Sequence, residues 1–416
     1  MYDPYADFTQ NTLSNGIQVY STFWDRPWVT VDVVVHAGGR EDPIYRLGLA
    51  HFVEHVVSYN VSGWEREQAR HFFEVNGGWV DFGATDYLST RYRFCIPSEL
   101  ETCRTALSIF GSMLLWARTE KSVERERQVI KREFNDCYLL QEKMVWETRI
   151  RKALFKGHRL ETWSGPIGTP EGFLSATEAD LQSFYDRYYV PANMSLVVVG
   201  GLQTKDLLTE LERSLFGVCK SGVRNPISQP LKQIPIPATQ ALTVRISDYV
   251  DLKVDRTGFK TVWAFPSDYP RQARRVFDRV LKRILFEEIR EKQGLAYAVN
   301  VSCTNYQDVC EYMIEGNVSP EATQKIADLV RKCIELVPQR QDLFERELNA
   351  LKRQCLMVDC SGDAFADNSA EMLALFGRIM TVGEVLDGLQ HVTHDQMALA
   401  AGILSREQQY TFISHP

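Results

Sequence analysis

Apolar and polar positions along the first hundred residues change period twice. Strands are predicted over Ile17–Phe23 and Val29–Val35, the second with apolar residues at alternate positions, and Asn15-Gly16 supplies the turn before them. From Leu47 to Val57 the apolar residues recur at helical spacing. A second helix is expected from about Glu65 to Val75, closed by Asn76-Gly77-Gly78. Strands follow near Val80 and over Leu88–Ile96. Pro97-Ser98-Glu99 then opens a helix to about Ala117, and another runs from Ser122 through Glu133 and beyond. A strand at Met194–Val199 and a helix at Thr204–Leu215 close the first half.

Lys220–Thr239 holds four prolines and little apolar periodicity, the character of a linker. After it the pattern restarts. Strands are expected at Leu242–Ile246 and Lys260–Phe265, a long helix at Gln272–Lys292, strands at Leu295–Cys303 and Cys310–Ile314, and a helix opened by Pro320. The halves also match in residues. Glu124–Glu133 and Glu345–Gln354 share five identities in ten, and Thr177–Leu181 echoes Thr393–Met397, both at a separation of about half the chain. The expected architecture is α+β: two homologous domains over 1–219 and 240–416, joined by a linker at 220–239, each a mainly antiparallel sheet packed with helices.

Composition narrows the class of protein. The 416 residues are 44% hydrophobic and 24% charged with net charge −7, an ordinary globular balance whose acidity argues against nucleic acid or an anionic membrane as partner. No apolar stretch approaches the roughly 20 residues of a membrane span. The N-terminus has neither a basic region nor an apolar core, so a cytoplasmic location is expected. Nine scattered cysteines without short framework spacing suit reduced thiols.

Within the Leu47–Val57 helix lies His51-Phe52-Val53-Glu54-His55. Residues four apart share a helical face, so both imidazoles can close on one metal ion. Glu54 adjoins that face and is placed to take a proton from water rather than to bind metal, the H-x-x-E-H arrangement of inverted zinc peptidases. The repeat locates a third ligand. No His-containing helix stands at the matching place in the second half, and Gln354 stands where Glu133 does in the first. Ligands absent together belong together, so Glu133 is expected to complete a His51–His55–Glu133 site with a fourth position open to water.

These residues resemble the pitrilysin family of zinc peptidases, in which H-x-x-E-H is followed some 75 residues later by a ligand Glu with another Glu seven before it. Here 77 residues separate His55 from Glu133, and Glu126 precedes Glu133 by seven. The resemblance continues through Gly165–Glu171, Tyr188–Met194 and, in the second half, Ile289–Tyr297. It implies zinc as the cofactor and Glu126 as a carboxylate behind the ligands. It also implies that Arg290 and Tyr297 reach the scissile peptide from the second half of a clamshell, a guanidinium and a phenol able to stabilise an oxyanion. Full-length members enclose a chamber with four such domains. A two-domain chain is therefore expected to dimerise, as a homodimer or with a paralogous subunit, and to cleave peptides or unfolded segments. A dedicated precursor peptide, or a non-catalytic assembly role, are the alternatives.

Three departures bear on the resemblance. The family's Gly-Gly-x-x-Asn-Ala-x-Thr on a substrate-binding edge strand reads Gly77-Gly78-Trp79-Val80-Asp81-Phe82-Gly83-Ala84 here. Asp81 replaces the Asn, and the following Thr90-Arg91-Tyr92 is displaced by one residue. Ser58-Tyr59-Asn60-Val61 replaces Phe-Lys-Gly-Thr, and Val280–Leu285 stands as continuous helix where a Gly-rich turn is usual.

Overall fold

Each stretch of period two becomes a strand and each stretch of period 3.6 a helix. The computed structural model describes residues 3–59, 64–115, 122–137, 148–222, 240–245, 257–318, 323–357, 361–406 and 409–415. In chain order these are β1 (Thr9–Thr12), β2 (Gln18–Phe23), β3 (Trp28–Val35), α1 (Leu49–Tyr59), α2 (Arg66–Val75), β4 (Trp79–Thr85), β5 (Thr90–Pro97), α3 (Leu100–Leu115) and α4 (Val123–Asp136). There follow α5 (148–154), α6 (Pro170–Ser175), α7 (Glu178–Tyr188), β6 (Met194–Gly200), α8 (Thr204–Arg213) and α9 (Leu215–Val218). The second half contributes β7 (Gln240–Arg245), β8 (Thr257–Pro266), α10 (Arg271–Leu285), β9 (Ala296–Asn305), β10 (Val309–Val318), α11 (Thr323–Leu336), α12 (Gln341–Gln354), α13 (Gly362–Phe376), α14 (Val382–Gln390), α15 (His394–Arg406) and β11 (Gln409–His415).

Two sheets result, and they repeat one topology. The first has the order β1-β2-β6-β3-β5-β4 and the second β7-β11-β8-β10-β9. In each, one parallel pair (β2 with β6, β7 with β11) adjoins a run of antiparallel pairs. Omitting β1, the two orders correspond strand for strand. The mixed, mainly antiparallel α+β architecture in two copies is therefore present as the alternating pattern and the internal match indicated.

The chain forms two compact units that are not contiguous in sequence. One comprises Met1–Tyr138, Trp163–Gln229 and Asp359–Thr381; the other comprises Leu139–Thr162, Pro230–Val358 and Val382–Pro416. Relative to a division at 1–219 and 240–416, each half lends a helix to the other's unit. In the first unit α13 lies on the sheet, with the Phe365 ring against Tyr5, Trp24 and Phe8 at centroid distances of 4.4, 4.8 and 5.5 Å. Burying one such ring contributes roughly 1.5–3 kcal/mol. Asp367 accepts hydrogen bonds from Arg91 and Arg93 at 2.7 and 2.9 Å, and Asp363 accepts one from Thr30 at 2.8 Å. In the second unit α5 is anchored by Arg151, buried, which donates to Glu311 at 3.0 Å and to the Tyr306 hydroxyl at 3.1 Å. Periodicity shows that a helix has an apolar face, but not which sheet receives it.

Two helices end earlier than their periodicity suggests. α8 stops at Arg213, where Ser214 caps the separate short α9. The helix expected over Gln272–Lys292 is α only to Leu285; Phe286–Glu291 form a π-helical turn. Residues 223–239 of the expected linker lie outside the described residues. Among the described residues no helix is long and apolar enough to cross a membrane.

Candidate metal centre

α1 owes its position to the residues before it. The Asp42 carboxylate accepts the backbone N–H groups of Gly48 and Ala50, both at 2.7 Å, and so holds donors at the start of the helix that lack partners within it. Gly48 has φ +94°, and a Cβ there would meet the Ile167 carbonyl oxygen at 2.2 Å. The Gly165–Thr169 segment thus packs directly against the entrance to α1, which only glycine permits. Leu49, Ala50, Phe52, Val53, Val56 and Val57 fill the core, leaving His51, Glu54 and His55 on the remaining stripe of the helix.

α4 supplies the facing carboxylates. The Glu133 oxygens lie 3.7 Å from His51 Nε2 and 3.3 Å from His55 Nε2, and Glu126 Oε2 lies 3.2 Å from His55 Nδ1. One ligand atom from each of His51, His55 and Glu133 falls within 4.8 Å of the others, the one such group of donors among the described residues. The donor set suits a divalent metal. Two imidazole nitrogens and one carboxylate oxygen converge, and the contact with Glu126 occupies Nδ1 of His55 while its Nε2 faces the cluster.

The metal-free charge pattern reflects the same convergence. Burial, and then the neighbouring His55, push His51 down to about 4 against the pull of Glu133. Burial also works against a charged His55, but hydrogen bonds to Glu126 and Glu133 outweigh it and raise His55 to about 9. Burial opposes ionisation of Glu133 too, yet His55 and His51 hold it below the ordinary carboxylate value. Two carboxylates thus draw positive charge into a gap between two helices.

Glu54 is buried beside this group, and burial raises it to about 7. Two residues that sequence reading passed over fix its position. Thr85 Oγ1 donates to Glu54 Oε2 at 2.9 Å, and Gly83, at φ +149°, comes so close that a Cβ would lie 2.4 Å from Glu54 Cγ. β4 and β5 slip register between Asp81 and Ala84, a one-residue irregularity of the kind that re-aims a side chain. Thr85 lies just past it, and the displacement of Thr90-Arg91-Tyr92 by one residue is the trace of the same irregularity in the sequence. Asp81 is engaged locally. One oxygen lies 3.3 Å from Arg93 Nη2, and the other accepts the Gly83 N–H at 3.2 Å.

Arg290 and Tyr297 belong to the second unit. Arg290 lies in the π-helical turn with its guanidinium 4.8 Å from the centre of the Tyr297 ring. Gly294, at φ +64°, donates its N–H to the Arg290 carbonyl at 3.0 Å and turns the chain into β9. Tyr297 is 81% exposed there, on the edge strand of its sheet. The structure therefore brings together His51, Glu54, His55, Glu126 and Glu133 in one unit, and Arg290 and Tyr297 in the other.

Comparison with known proteins agrees with this layout. Residues 24–164 match the family described as insulinase (peptidase family M16), and residues 175–355 match the peptidase M16 inactive domain. The probable zinc protease PqqL of Escherichia coli is 28% identical over 213 residues, spanning 49% of this chain and 22% of that protein. An uncharacterized zinc protease of Rickettsia felis is 23% identical over 94% of this chain and 93% of its own. The crystal structure of a protease from Helicobacter pylori superposes with a TM-score of 0.80 over the whole of both chains at 18% identity. The chain belongs to the M16 (insulinase/pitrilysin) family, as a half-length, two-domain member.

Proposed function

We propose that the protein is a zinc-dependent endopeptidase whose substrates are peptides or unfolded segments. The observation that carries this reading is the convergence of His51, His55 and Glu133 on one point with the buried Glu54 beside it. Zinc held by those three residues would supply Lewis acidity toward water and toward the scissile carbonyl. The rest is work for the chain's own groups. Glu54, held by Thr85, takes a proton from the attacking water and returns it to the departing amine. Glu126 orients His55. β4 is an edge strand that passes beside Glu54, suited to pairing with an extended peptide.

Arg290 and Tyr297 are assigned to carbonyl and oxyanion stabilisation, contributed by a second copy or a paralogous subunit that closes the chamber. The match of the second half to an inactive domain accords with this division of labour, one half holding the metal and the other the substrate carbonyl.

The test is complementation. Glu54→Gln and Tyr297→Phe chains, each nearly inactive, are mixed and allowed to exchange. A mixed homodimer joins an intact Glu54 to an intact Tyr297 in one of its two sites, so roughly a quarter of wild-type activity returns under random exchange. No recovery from an active wild-type homodimer refutes sharing between chains. An isolated wild-type chain that binds zinc but turns over only with a paralogue points to the heterodimer.

A further inference from the structure

The second unit contains a polar cluster that the peptidase reading does not use. Cys303 on β9 and Cys310 on β10 flank the turn of one hairpin. The register Cys310↔Asn305 and Tyr312↔Cys303 puts them on the same face as diagonal neighbours. Their side chains interact across that face. α10 covers that face, and Arg274 in its first turn, itself buried, donates from Nη1 to Cys310 Sγ at 3.0 Å. Among the described residues no carboxylate lies within ion-pair distance of Arg274. A buried guanidinium needs compensating negative charge; Asp278, one turn on in α10, acts on it, and the sulfur it touches is a second group able to carry such a charge. Cys310 is fully buried, whereas Cys303 is only partly so.

We propose that Cys303 and Cys310 are a thiol-oxidation site that closes to an intrachain disulfide on reaction with a low-molecular-weight disulfide such as glutathione disulfide. The two positions divide the work. Cys303, the one reagents can reach, releases its proton to solvent and attacks a sulfur of the reagent. The reagent's S–S bond breaks, and one thiolate leaves. Cys310 then attacks the Cys303 sulfur, its proton goes to solvent, and the second thiolate leaves. Two protein thiols are oxidised and one disulfide is reduced to two thiols, so no further oxidant is required.

Supporting this order, the interaction with Cys303, and then the charge of Arg274, hold Cys310 below the ordinary thiol value against the effect of burial, which suits it to the closing attack. The same interaction raises Cys303. Diagonal neighbours on a flat sheet stand roughly 7–8 Å apart at Cα, beyond the usual reach of a disulfide, so closure must draw the two strands together. β9 is also the strand that bears Tyr297, six residues before Cys303.

The full-length protein is incubated across a series of glutathione disulfide to glutathione ratios, alkylated, and mapped by peptide mass spectrometry. The expected product is a Cys303–Cys310 cross-link with loss of two hydrogens and no retained glutathione. It should form at ratios that leave Cys95, Cys137, Cys219 and Cys355 alkylatable. Cys310→Ser should instead trap one glutathione on Cys303, and Cys303→Ser should leave Cys310 unmodified. Arg274→Gln should slow closure about tenfold while Arg274→Lys stays within about twofold, because a cation suffices to favour the anion. Complete alkylation of both wild-type cysteines at ratios that already modify the other four would overturn the proposal. So would a stable wild-type glutathione adduct on Cys303 without cross-linking. Neither readout depends on zinc or on peptidase activity.

Discussion

The same pair of helices carries opposite chemistry in the two units. In the first, His55 on α1 reaches Glu126 and Glu133 on α4 at 3.2 and 3.3 Å. In the second, Arg279 on α10 reaches Glu347 and Gln354 on α12 at 3.0 and 2.8 Å. α10 follows β8 as α1 follows β3, and Glu347 and Gln354 stand seven apart as Glu126 and Glu133 do. The stretch Arg275-Val276-Phe277-Asp278-Arg279 therefore lies over His51-Phe52-Val53-Glu54-His55, with basic residues where the histidines are and an acid where Glu54 is. Asp278 even keeps a hydroxyl donor, Tyr312, at 2.7 Å, as Glu54 keeps Thr85.

The difference concerns how a buried positive charge is supplied. The first unit sets two carboxylates around imidazoles that can give up their protons, so the centre can exchange a proton for a metal ion. The second supplies a guanidinium that is always charged, and replaces one carboxylate with a neutral amide. Its charge is complete without a metal. One scaffold thus supports a site whose donors converge as a metal's ligands would and a site that has a cation built in.

The largest effect that would sharpen this contrast is on turnover. Glu54→Gln should lower peptide cleavage by about a thousandfold or more with zinc content unchanged, the loss expected of a general base. Asp278→Asn should leave cleavage within about twofold. Comparable losses from both, measured as kcat, would make the second acid more than a remnant. Metal uptake comes next. Glu133→Gln should weaken zinc binding at least about a hundredfold, whereas Gln354→Glu should add no second zinc, because Arg279 already fills that place. A stoichiometry of two zinc ions in Gln354→Glu would break the contrast.

Stability gives two smaller tests. Asp32 on β3 is wholly buried, with neither oxygen hydrogen-bonded among the described residues. Burial raises it to about 7, against Arg91 and Arg93 on β5 and alongside Asp81 on β4 and Asp367 on α13. A carboxyl raised on folding holds its proton in the folded state while the unfolded chain has lost it. Stability from this residue therefore falls as pH rises from about 4 to about 7 and stays low above that. Asp32→Asn should gain about 4 kcal/mol at pH 8 relative to wild type and only about 1–2 kcal/mol at pH 5, read by denaturant unfolding at the two pH values. An equal difference at both would remove ionisation as the cause. Last, Arg279→Gln removes one of the two cations on the nearly buried Glu347 and leaves Arg346, so the unfolding midpoint should fall by the equivalent of about 1 kcal/mol. No change would show that the built-in charge contributes nothing to the second unit.

Sequence reading recovered the metal-ligand candidates because their signal is local. Two histidines and a glutamate at helical spacing remain informative whatever surrounds them, and the internal match singled out Glu133 through its replacement by Gln354. It missed the counterpart in the second unit because it looked for histidine. The correspondence of Arg275, Asp278 and Arg279 appears only once α10 is seen against α12. Thr85 and Gly83 escaped for a related reason: the irregularity in β4 sets their aim, and its register is a property of the β4–β5 pair rather than of either strand.

The residues by themselves determined the period of nearly every element, the repetition of one α+β pattern and the spacing of H-x-x-E-H. These depend on side chains a few positions apart, whose geometry the backbone fixes. Tertiary structure alone decided that α13 covers the first sheet while α5 packs in the second unit, that the last turn of α10 widens into a π-helix, and that Arg274 meets Cys310. Those outcomes turn on which buried surfaces and charges find each other between separate elements, a competition in free energy that no local pattern records.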